Sequence, residues 1–195
     1  MKISHIFAAT LAVFIGAQSV SAEELPPETH TLNFISYAKV TFTNPEDPNR
    51  TLTHAVVCPA KLDTGAVTSS IDASDIRHNM FSGMVSFTIT GEEGTEPIRF
   101  EKPLVRISRT KNRAANGPGR ENRFVVEMFI DIAELGPIST EVNLVNRNHF
   151  YQRLLIGRTA LEKARISVNS KSISDEKKPT NCNVVPSSIA TLTNF

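Results

Sequence analysis

Two short segments carry the residue types that could do chemistry: Asp63-Thr64-Gly65-Ala66 and, far downstream, Leu154-Leu155-Ile156-Gly157-Arg158. A carboxylate at a tight turn can act in hydrolysis when a second carboxylate shares its proton. Like charges about 3 Å apart cannot both ionise, so one carboxylate takes a proton from water while the other donates to the scissile carbonyl. The chain has one Asp-Thr-Gly sequence, so the second carboxylate must come from a two-fold related copy.

Each neighbour of Asp63 has an expected physical task. Gly65 allows the backbone to turn tightly and brings an N–H group to the carboxylate, and the Thr64 hydroxyl can hydrogen-bond across a two-fold axis. Ile156 supplies a dry floor, and Gly157 lets another strand pass the turn without a side chain between them. The alternative interpretation is an ordinary turn, in which Asp63 bonds its own backbone.

A basic segment lies between these two motifs. Arg109, Arg113 and Arg120 flank the turn Gly117-Pro118-Gly119. One interpretation is a solvated loop; the other is a flap that closes over substrate and excludes water. Arginine suits carboxylates, so the flap interpretation indicates an acidic peptide. The turn 91–94 is the other flap candidate, and its two glutamates would favour a basic ligand instead.

The elements that position these motifs are mostly strands. Period-two alternation, for example from Met84 to Thr90, and the spacing of turn residues predict an all-β barrel or sandwich of short strands. One short helix is expected at Thr159–Ala164, and a helical turn at Ile71–His78 with Asp72 or Ser74 as its cap. The other predicted strands are Leu32–Thr43, Leu52–Leu62, Ile98–Ser108, Phe124–Ile132, Thr140–Val145, Leu154–Ile156 and Ala164–Val168. Phe124–Ile132 and Thr140–Val145 are expected to form a hairpin that turns at Leu135-Gly136-Pro137.

The composition and the N-terminus suggest an exported globular protein. Residues 1–22 combine Lys2, an apolar stretch from Ile6 to Ile15 and the small residues Val20-Ser21-Ala22, the pattern of a signal peptide. A polar lead-in (23–31), one domain (32–169) and a C-terminal tail (170–195) are expected to follow. We expect a periplasmic or secreted location and no stable membrane insertion of the mature chain. The net charge of +1 gives no reason to expect a nucleic-acid partner.

Cys58 and Cys182 are the only cysteines. An even count in an exported protein makes them candidates for a disulfide, which would hold the tail beside the Asp63 turn. The alternative is two buried thiols, because the sequence shows no geometry.

These motifs resemble the retropepsin-like aspartic proteases. The segment Leu155-Ile156-Gly157-Arg158 is similar to their second motif, in which the arginine helps to hold a dimer together; here that arginine is Arg158. Residues 61–71, 142–147 and 154–161 resemble more closely a bacterial and archaeal family historically called putative ATP-dependent zinc protease, related to the protein encoded beside the RimK ligase. In that family the position of Asn146 is commonly Asp. The resemblance implies a retropepsin-like closed barrel of antiparallel strands with an Asp-centred site.

The old family name finds no support in the residues. The chain has no Walker loop to hold ATP and no His-Glu-x-x-His helix to hold zinc. His30, His54, His78 and His149 are isolated, so we expect no metal site and no cofactor.

The first functional hypothesis is therefore an exported, homodimeric aspartic endopeptidase with Asp63 as the catalytic carboxylate and a peptide or protein as substrate. The second is a non-catalytic module of the same fold, in which Asp63 is a structural turn and the cleft binds a peptide or a partner in envelope signalling. A third is a metal-dependent hydrolase, which metal analysis would test.

Overall fold

The described part of the chain is all-β with one short helix, as predicted. A computed structural model describes residues 28–42, 55–91, 97–111, 120–169 and 182–185. The predicted signal peptide and most of the predicted tail lie outside these residues. The elements are β1 (His30–Asn33), β2 (Ile35–Thr41), β3 (Ala55–Asp63), β4 (Ser69–Asp72), β5 (Ser74–Asn79), β6 (Met84–Ile89), β7 (Ile98–Pro103), β8 (Arg106–Lys111), β9 (Arg120–Ile132), β10 (Pro137–Val145), β11 (Leu154–Gly157), α1 (Arg158–Lys163), β12 (Ile166–Asn169) and β13 (Asn183–Val185).

The main sheet has the strand order β10-β4-β11-β3-β2-β9-β8, and β13 pairs with β3. Because β9 also pairs with β10, the pairings lead from β10 through β4, β11, β3, β2 and β9 back to β10. The prediction of antiparallel strands is wrong for three pairs: β10 with β4, β11 with β3, and β1 with β12 are parallel. Parallel partners need crossover connections, which local turn signals do not reveal.

The core lies between the strands of the main sheet and the smaller sheet β5-β6-β7. Almost the whole of β3 is buried, as expected for a central strand covered on both faces. The prediction for the apolar face of β6 is confirmed, since Val85, Phe87 and Ile89 are at most 2% exposed, but Ser86 on the other face is also buried.

The predicted helical turn at Ile71–His78 is wrong, because these residues form part of β4 and then β5. Ile71 is buried and lies opposite Leu154 on one neighbour and Leu144 on the other. Two-sided strand pairing thus overrides the local propensity, and the positive φ of Asp75 is incompatible with a continuing helix. Asp72, predicted as a helix cap, ends a strand instead.

Two predicted strands are each divided in the structure. Leu32–Thr43 becomes β1 and β2, which pair with different partners. Ile98–Ser108 becomes β7 and β8, because the Leu104 N–H donates to Gly83 O in the turn between β5 and β6, and the Val105 N–H donates to Val125 O in the main sheet. The division lets one stretch of chain pass from one sheet to the other.

The hairpin of β9 and β10 is confirmed, with its turn at the predicted place. Gly136 has φ +99° and donates its N–H to Asp131 Oδ1 at 3.1 Å. Glycine adopts this positive φ without the steric cost that a side chain would bring, which explains why a glycine occupies position 136.

A disulfide joins Cys58 to Cys182, with an S–S distance of 2.02 Å. It fastens β13 to β3, where Asn183 pairs with Val57. Pro59 follows in β3 without an N–H group, at the point where the β13 pairing has ended and the β11 pairing begins at Ala60. A proline is tolerated there because no partner on that edge needs its N–H.

Candidate active site

Asp63 is the last residue of β3, and its carboxylate stands where the strand leaves the sheet. Gly157, the last residue of β11, lies directly opposite in parallel register, and Ile156 lies opposite Leu62. Both Ile156 and Leu62 are at most 2% exposed. The two motifs separated in the sequence therefore meet, and they have the dry floor expected from the sequence.

The turn after Asp63 is closed by its own carboxylate and carbonyl. The Gly65 N–H donates to Asp63 Oδ1 at 3.0 Å, and the Ala66 N–H donates to Asp63 O at 3.2 Å. The Thr64 residue is exposed and its side chain has no hydrogen bond within the described part of the protomer. A hydroxyl in this position is free to bond a second protein chain.

Lys61 forms an ion pair with the other carboxylate oxygen of Asp63, Oδ2, at 3.0 Å. Burial alone would raise the pKa of Asp63, but the hydrogen bonds from Lys61 and Gly65 and the charge of Lys61 outweigh it. The pKa of Asp63 consequently lies below its usual range, and in one protomer the carboxylate is ionised at neutral pH.

Our sequence interpretation gave Lys61 no role, although a signal was present. Residues i and i+2 of a strand point to the same face, so Lys61 in β3 necessarily stands beside Asp63.

Gly157 packs against the backbone that leaves the turn. A Cβ atom at this position would lie 2.7 Å from the carbonyl carbon of Thr68, 2.8 Å from Val67 O and 2.9 Å from Ser69 N. The Gly157 N–H also donates to Ser69 Oγ at 3.1 Å. The close approach expected from the sequence is present, and the chain that passes is residues 67–69.

Two further backbone bonds fix α1 to the turn. The Arg158 N–H donates to Ala66 O at 2.7 Å, and the Thr159 N–H donates to Val67 O at 3.2 Å. The Arg158 side chain is exposed, and its Nε lies 3.8 Å from Glu162 Oε1. Arg158 therefore supports the turn through its main chain, and its side chain reaches solvent.

The hairpin of β8 and β9 is hydrogen-bonded to the residues that follow the Asp63 turn. Arg106 Nη2 donates to Thr68 Oγ1 at 3.2 Å, and Ser108 Oγ donates to Asn143 Oδ1 at 2.7 Å. Asn143 Nδ2 in turn donates to Ser69 O at 3.1 Å. These bonds connect the base of the basic hairpin to residues 68–69 through the Thr68 hydroxyl and the Ser69 carbonyl oxygen.

The basic residues predicted as a substrate loop are only partly within the described structure. Arg109 in β8 and Arg120 in β9 are exposed near the end of the hairpin, where Arg109 pairs with Asn122 and Lys111 with Arg120. Arg113, Gly117 and Gly119 lie outside the described residues, as does the glutamate pair of the 91–94 turn.

A second charged cluster, which the sequence interpretation missed, surrounds Asp72. One carboxylate oxygen accepts the Arg147 N–H and the other is bound by Arg153. The Arg147 side chain is buried, donates from Nε to Gln152 O at 3.3 Å, and lies over the Phe150 ring at 4.6 Å. Burial lowers the pKa of Arg147, while the negative charges of Asp72 and Asp63 act in the opposite direction. This cluster shapes the loop that leads into β11.

A cavity of about 370 Å³ lies elsewhere, between β5, the start of β9 and the end of β10. Asp75, Glu121 and Asn146 line it together with apolar side chains, and no residue of the Asp63 turn does. We therefore place no part of the candidate chemistry there.

The described residues contain no group of three or more histidine, cysteine or acidic side chains placed to hold a metal ion. In the same residues, no helix has the length and apolar character needed to cross a membrane.

Comparisons with known proteins agree with this geometry. The model of the RimB-like family, described as retropepsin-like aspartic endopeptidase RimB, matches residues 51–178. This match confirms the resemblance predicted from the two motifs. A crystal structure of protein Lpg0085 from Legionella pneumophila, described as having unknown function, is 26% identical with a TM-score of 0.52; the alignment covers 73% of this chain and 95% of that one. No curated protein matches the chain.

Proposed function

Because the chain belongs to the RimB-like family of retropepsin-like aspartic endopeptidases, we propose that it hydrolyses peptide bonds between two Asp63 carboxylates of a homodimer. The observation that carries this proposal is the junction of the Asp63 turn and Gly157. One carboxylate stands on a dry floor, at a turn held by Gly65 and by the backbone of α1.

In this mechanism the ionised Asp63 takes a proton from water as the water oxygen attacks the scissile carbonyl carbon. The protonated Asp63 of the partner protomer gives its proton to the carbonyl oxygen, so the tetrahedral intermediate carries two hydroxyl groups. Collapse of the intermediate returns a proton to a carboxylate and transfers one to the leaving nitrogen. The pair then again holds one proton.

A dimer is supported by what one protomer lacks and by what it exposes. The chain offers a single Asp-Thr-Gly turn, and an isologous two-fold contact would place two such turns together. Thr64, exposed at the turn, is suited to bond the opposite turn across the axis.

The fold suggests how a substrate would be enclosed. We infer that the ring of pairings from β10 back to β10 closes as a retropepsin-like barrel. Of the two flap candidates, we favour the β8–β9 hairpin, because Arg106 and Ser108 connect its base to the chain that leaves Asp63. The β6–β7 hairpin belongs to the separate three-stranded sheet.

We further propose that the protein works in the periplasm or outside the cell. The signal-like N-terminus supports this location, and a disulfide between Cys58 and Cys182 is typical of an oxidising compartment.

The test is cleavage of a peptide library by wild-type protein and by Asp63→Asn, with the oligomeric state of both measured by light scattering. We expect activity from a dimer and a loss of at least about a thousandfold in Asp63→Asn. Asp75→Asn is the matched control: it removes an exposed carboxylate at a positive-φ position that asparagine also tolerates, and it should leave cleavage unchanged. An Asp63→Asn protein with full activity would exclude the proposed mechanism.

A non-catalytic binding module is the second candidate, and the Lys61–Asp63 ion pair favours it. A carboxylate whose two oxygens are bound by Lys61 and Gly65 can serve as a structural turn. A wild-type protein that remains monomeric and cleaves no library peptide, but binds some of them, would support this candidate over the peptidase.

A further inference from the structure

We propose that Lys61 is a positioning residue of the Asp63 pair: it holds the carboxylate in its ionised, water-activating form and thereby sets the pH range of hydrolysis. This inference rests on the proposed function, because it assigns Lys61 a task in the two-carboxylate site. Nothing in the family match gives this residue a role.

The geometry around Asp63 carries the inference. Lys61 Nζ lies 3.0 Å from Oδ2, while Oδ1 accepts the Gly65 N–H at 3.0 Å. The lysine backbone is fixed by pairing with Ile35 on one side and Leu155 on the other. Its ammonium group therefore reaches Asp63 from a rigid central strand, which makes the contact a built-in part of the site.

The other charged groups near the turn are already engaged or lie further away. At the start of α1, directly after the strand opposite Asp63, Arg158 Nε lies 3.8 Å from Glu162 Oε1. On β8, whose Arg106 side chain bonds Thr68, Arg106 Nη2 lies 2.7 Å from a Glu141 carboxylate oxygen. Arg147, in the loop before β11, attracts Asp63 only through its charge. Among the described residues, Lys61 is thus the cation in direct contact with Asp63.

Each protomer of a dimer would bring one ammonium group to the shared site. Two carboxylates that approach with two ammonium groups repel each other less than two bare carboxylates do. The proton that they share is then held less tightly, so the single-proton form exists at lower pH. Both limbs of the activity profile should consequently lie at lower pH than in a site without Lys61.

The first experiment compares pH–rate profiles of wild type, Lys61→Met and Lys61→Arg. In Lys61→Met both limbs of the pH–rate profile should move to higher pH by about one unit. This is the lower end of the pKa change of about 1–3 units that an adjacent opposite charge causes. Lys61→Arg keeps the charge and should restore a profile close to that of wild type. Lys39→Met is the matched control: Lys39 lies on the neighbouring strand β2, and its ion pair with Asp131 of β9 (3.5 Å) is away from the Asp63 turn. Its profile should not move.

A second readout does not depend on activity. Titration of the Asp63 carboxyl carbon by NMR should show a higher pKa in Lys61→Met than in wild type. If wild type is active and its profile is the same as that of Lys61→Met, the Lys61 inference is wrong and the peptidase proposal stands. If wild type cleaves nothing, the peptidase proposal fails, and an unchanged Asp63 titration in Lys61→Met would separately overturn the contact between the two side chains. The Lys61 side chain is 44% exposed, so the methionine variant should fold.

Discussion

Replacing Gly157 by alanine should damage both the stability of the protein and the Asp63 turn. The added Cβ would lie 2.7 Å from the carbonyl carbon of Thr68, whereas ordinary contact begins at 3.4 Å. The backbones of β11 and residues 67–69 must therefore separate by about 0.7 Å, the difference between these two distances. No rotamer change can relieve the overlap, because all three atoms nearest to the new Cβ belong to the backbone.

The magnitude follows from the type of contact. Overpacking in a close-packed region costs about 1–3 kcal/mol, and rigid backbone neighbours place Gly157→Ala near the upper end. The bond from the Gly157 N–H to Ser69 Oγ would weaken as well. A loss of about 3 kcal/mol corresponds to a decrease in Tm of about 6–12 °C for a domain of this size.

The effect on hydrolysis should be separate from the effect on stability. Residues 67–69 continue the Asp63 turn, and Arg158 and Thr159 bond to it directly. A displacement approaching 1 Å at a catalytic group can reduce the rate by about a hundredfold. We expect this loss per folded molecule, at a temperature well below the Tm of the variant.

The assay is thermal unfolding by circular dichroism, combined with peptide cleavage normalised to the folded fraction. Gly136→Ala is the control, because its φ of +99° makes alanine unfavourable while nothing lies within 4 Å of the new Cβ. It should lose about 1–2 kcal/mol with normal activity per folded molecule. A Gly157→Ala protein with the Tm of wild type would refute the close packing. A lower Tm with unchanged cleavage would refute its connection to Asp63.

Three further outcomes are expected. Reduction of the Cys58–Cys182 disulfide removes a constraint on the unfolded chain, because the bond closes a loop across a separation of 124 residues. The free energy of unfolding should therefore fall by up to about 4–5 kcal/mol, measured by urea unfolding with and without reductant. Asp72→Ala should cost about 2–3 kcal/mol because it leaves the Arg147 N–H without its acceptor and the half-buried Arg153 guanidinium without its carboxylate, whereas Glu141→Ala breaks an exposed pair and should cost less than about 1 kcal/mol, by the same measurement. Because the folded-state pKa of Asp63 is lowered, its ion pair stabilises the protein above the ordinary carboxyl pKa; wild type should lose stability relative to Asp63→Asn as the pH falls below about 4.

Each of these outcomes has a clear contrary result. Equal urea midpoints with and without reductant would mean that the disulfide constrains little. Equal costs for Asp72→Ala and Glu141→Ala would mean that burial does not distinguish the two clusters. A constant difference between wild type and Asp63→Asn from pH 2 to pH 6 would contradict the lowered pKa.

The sequence was sufficient for the parts of the fold that follow from local rules. Alternation predicted β6, turn residues placed the β9–β10 hairpin, and the two motifs brought Asp63 and Gly157 together. The helix before β12 was also predicted to within one residue at each end.

The failures arose where distant partners decide the local structure. Ile71 is a strand residue because Leu154 and Leu144 flank it, and both lie more than seventy residues away. The parallel pairing of β3 with β11 likewise depends on a crossover that turn signals do not encode. Lys61 is a different case: it lies two residues before Asp63 in a predicted strand, so the strand period alone places both side chains on one face.

The disulfide has a consequence for how the protein would withstand proteolysis. Residues 170–181 separate β12 from β13 in the sequence. The disulfide joins Cys58, which precedes this interval, to Cys182, which directly follows it. A single cut within it would produce two fragments that remain covalently joined, with β13 still attached to β3. Such a nicked protein would migrate as one species on a non-reducing gel and as two after reduction, and it would retain the strand that ends in Asp63.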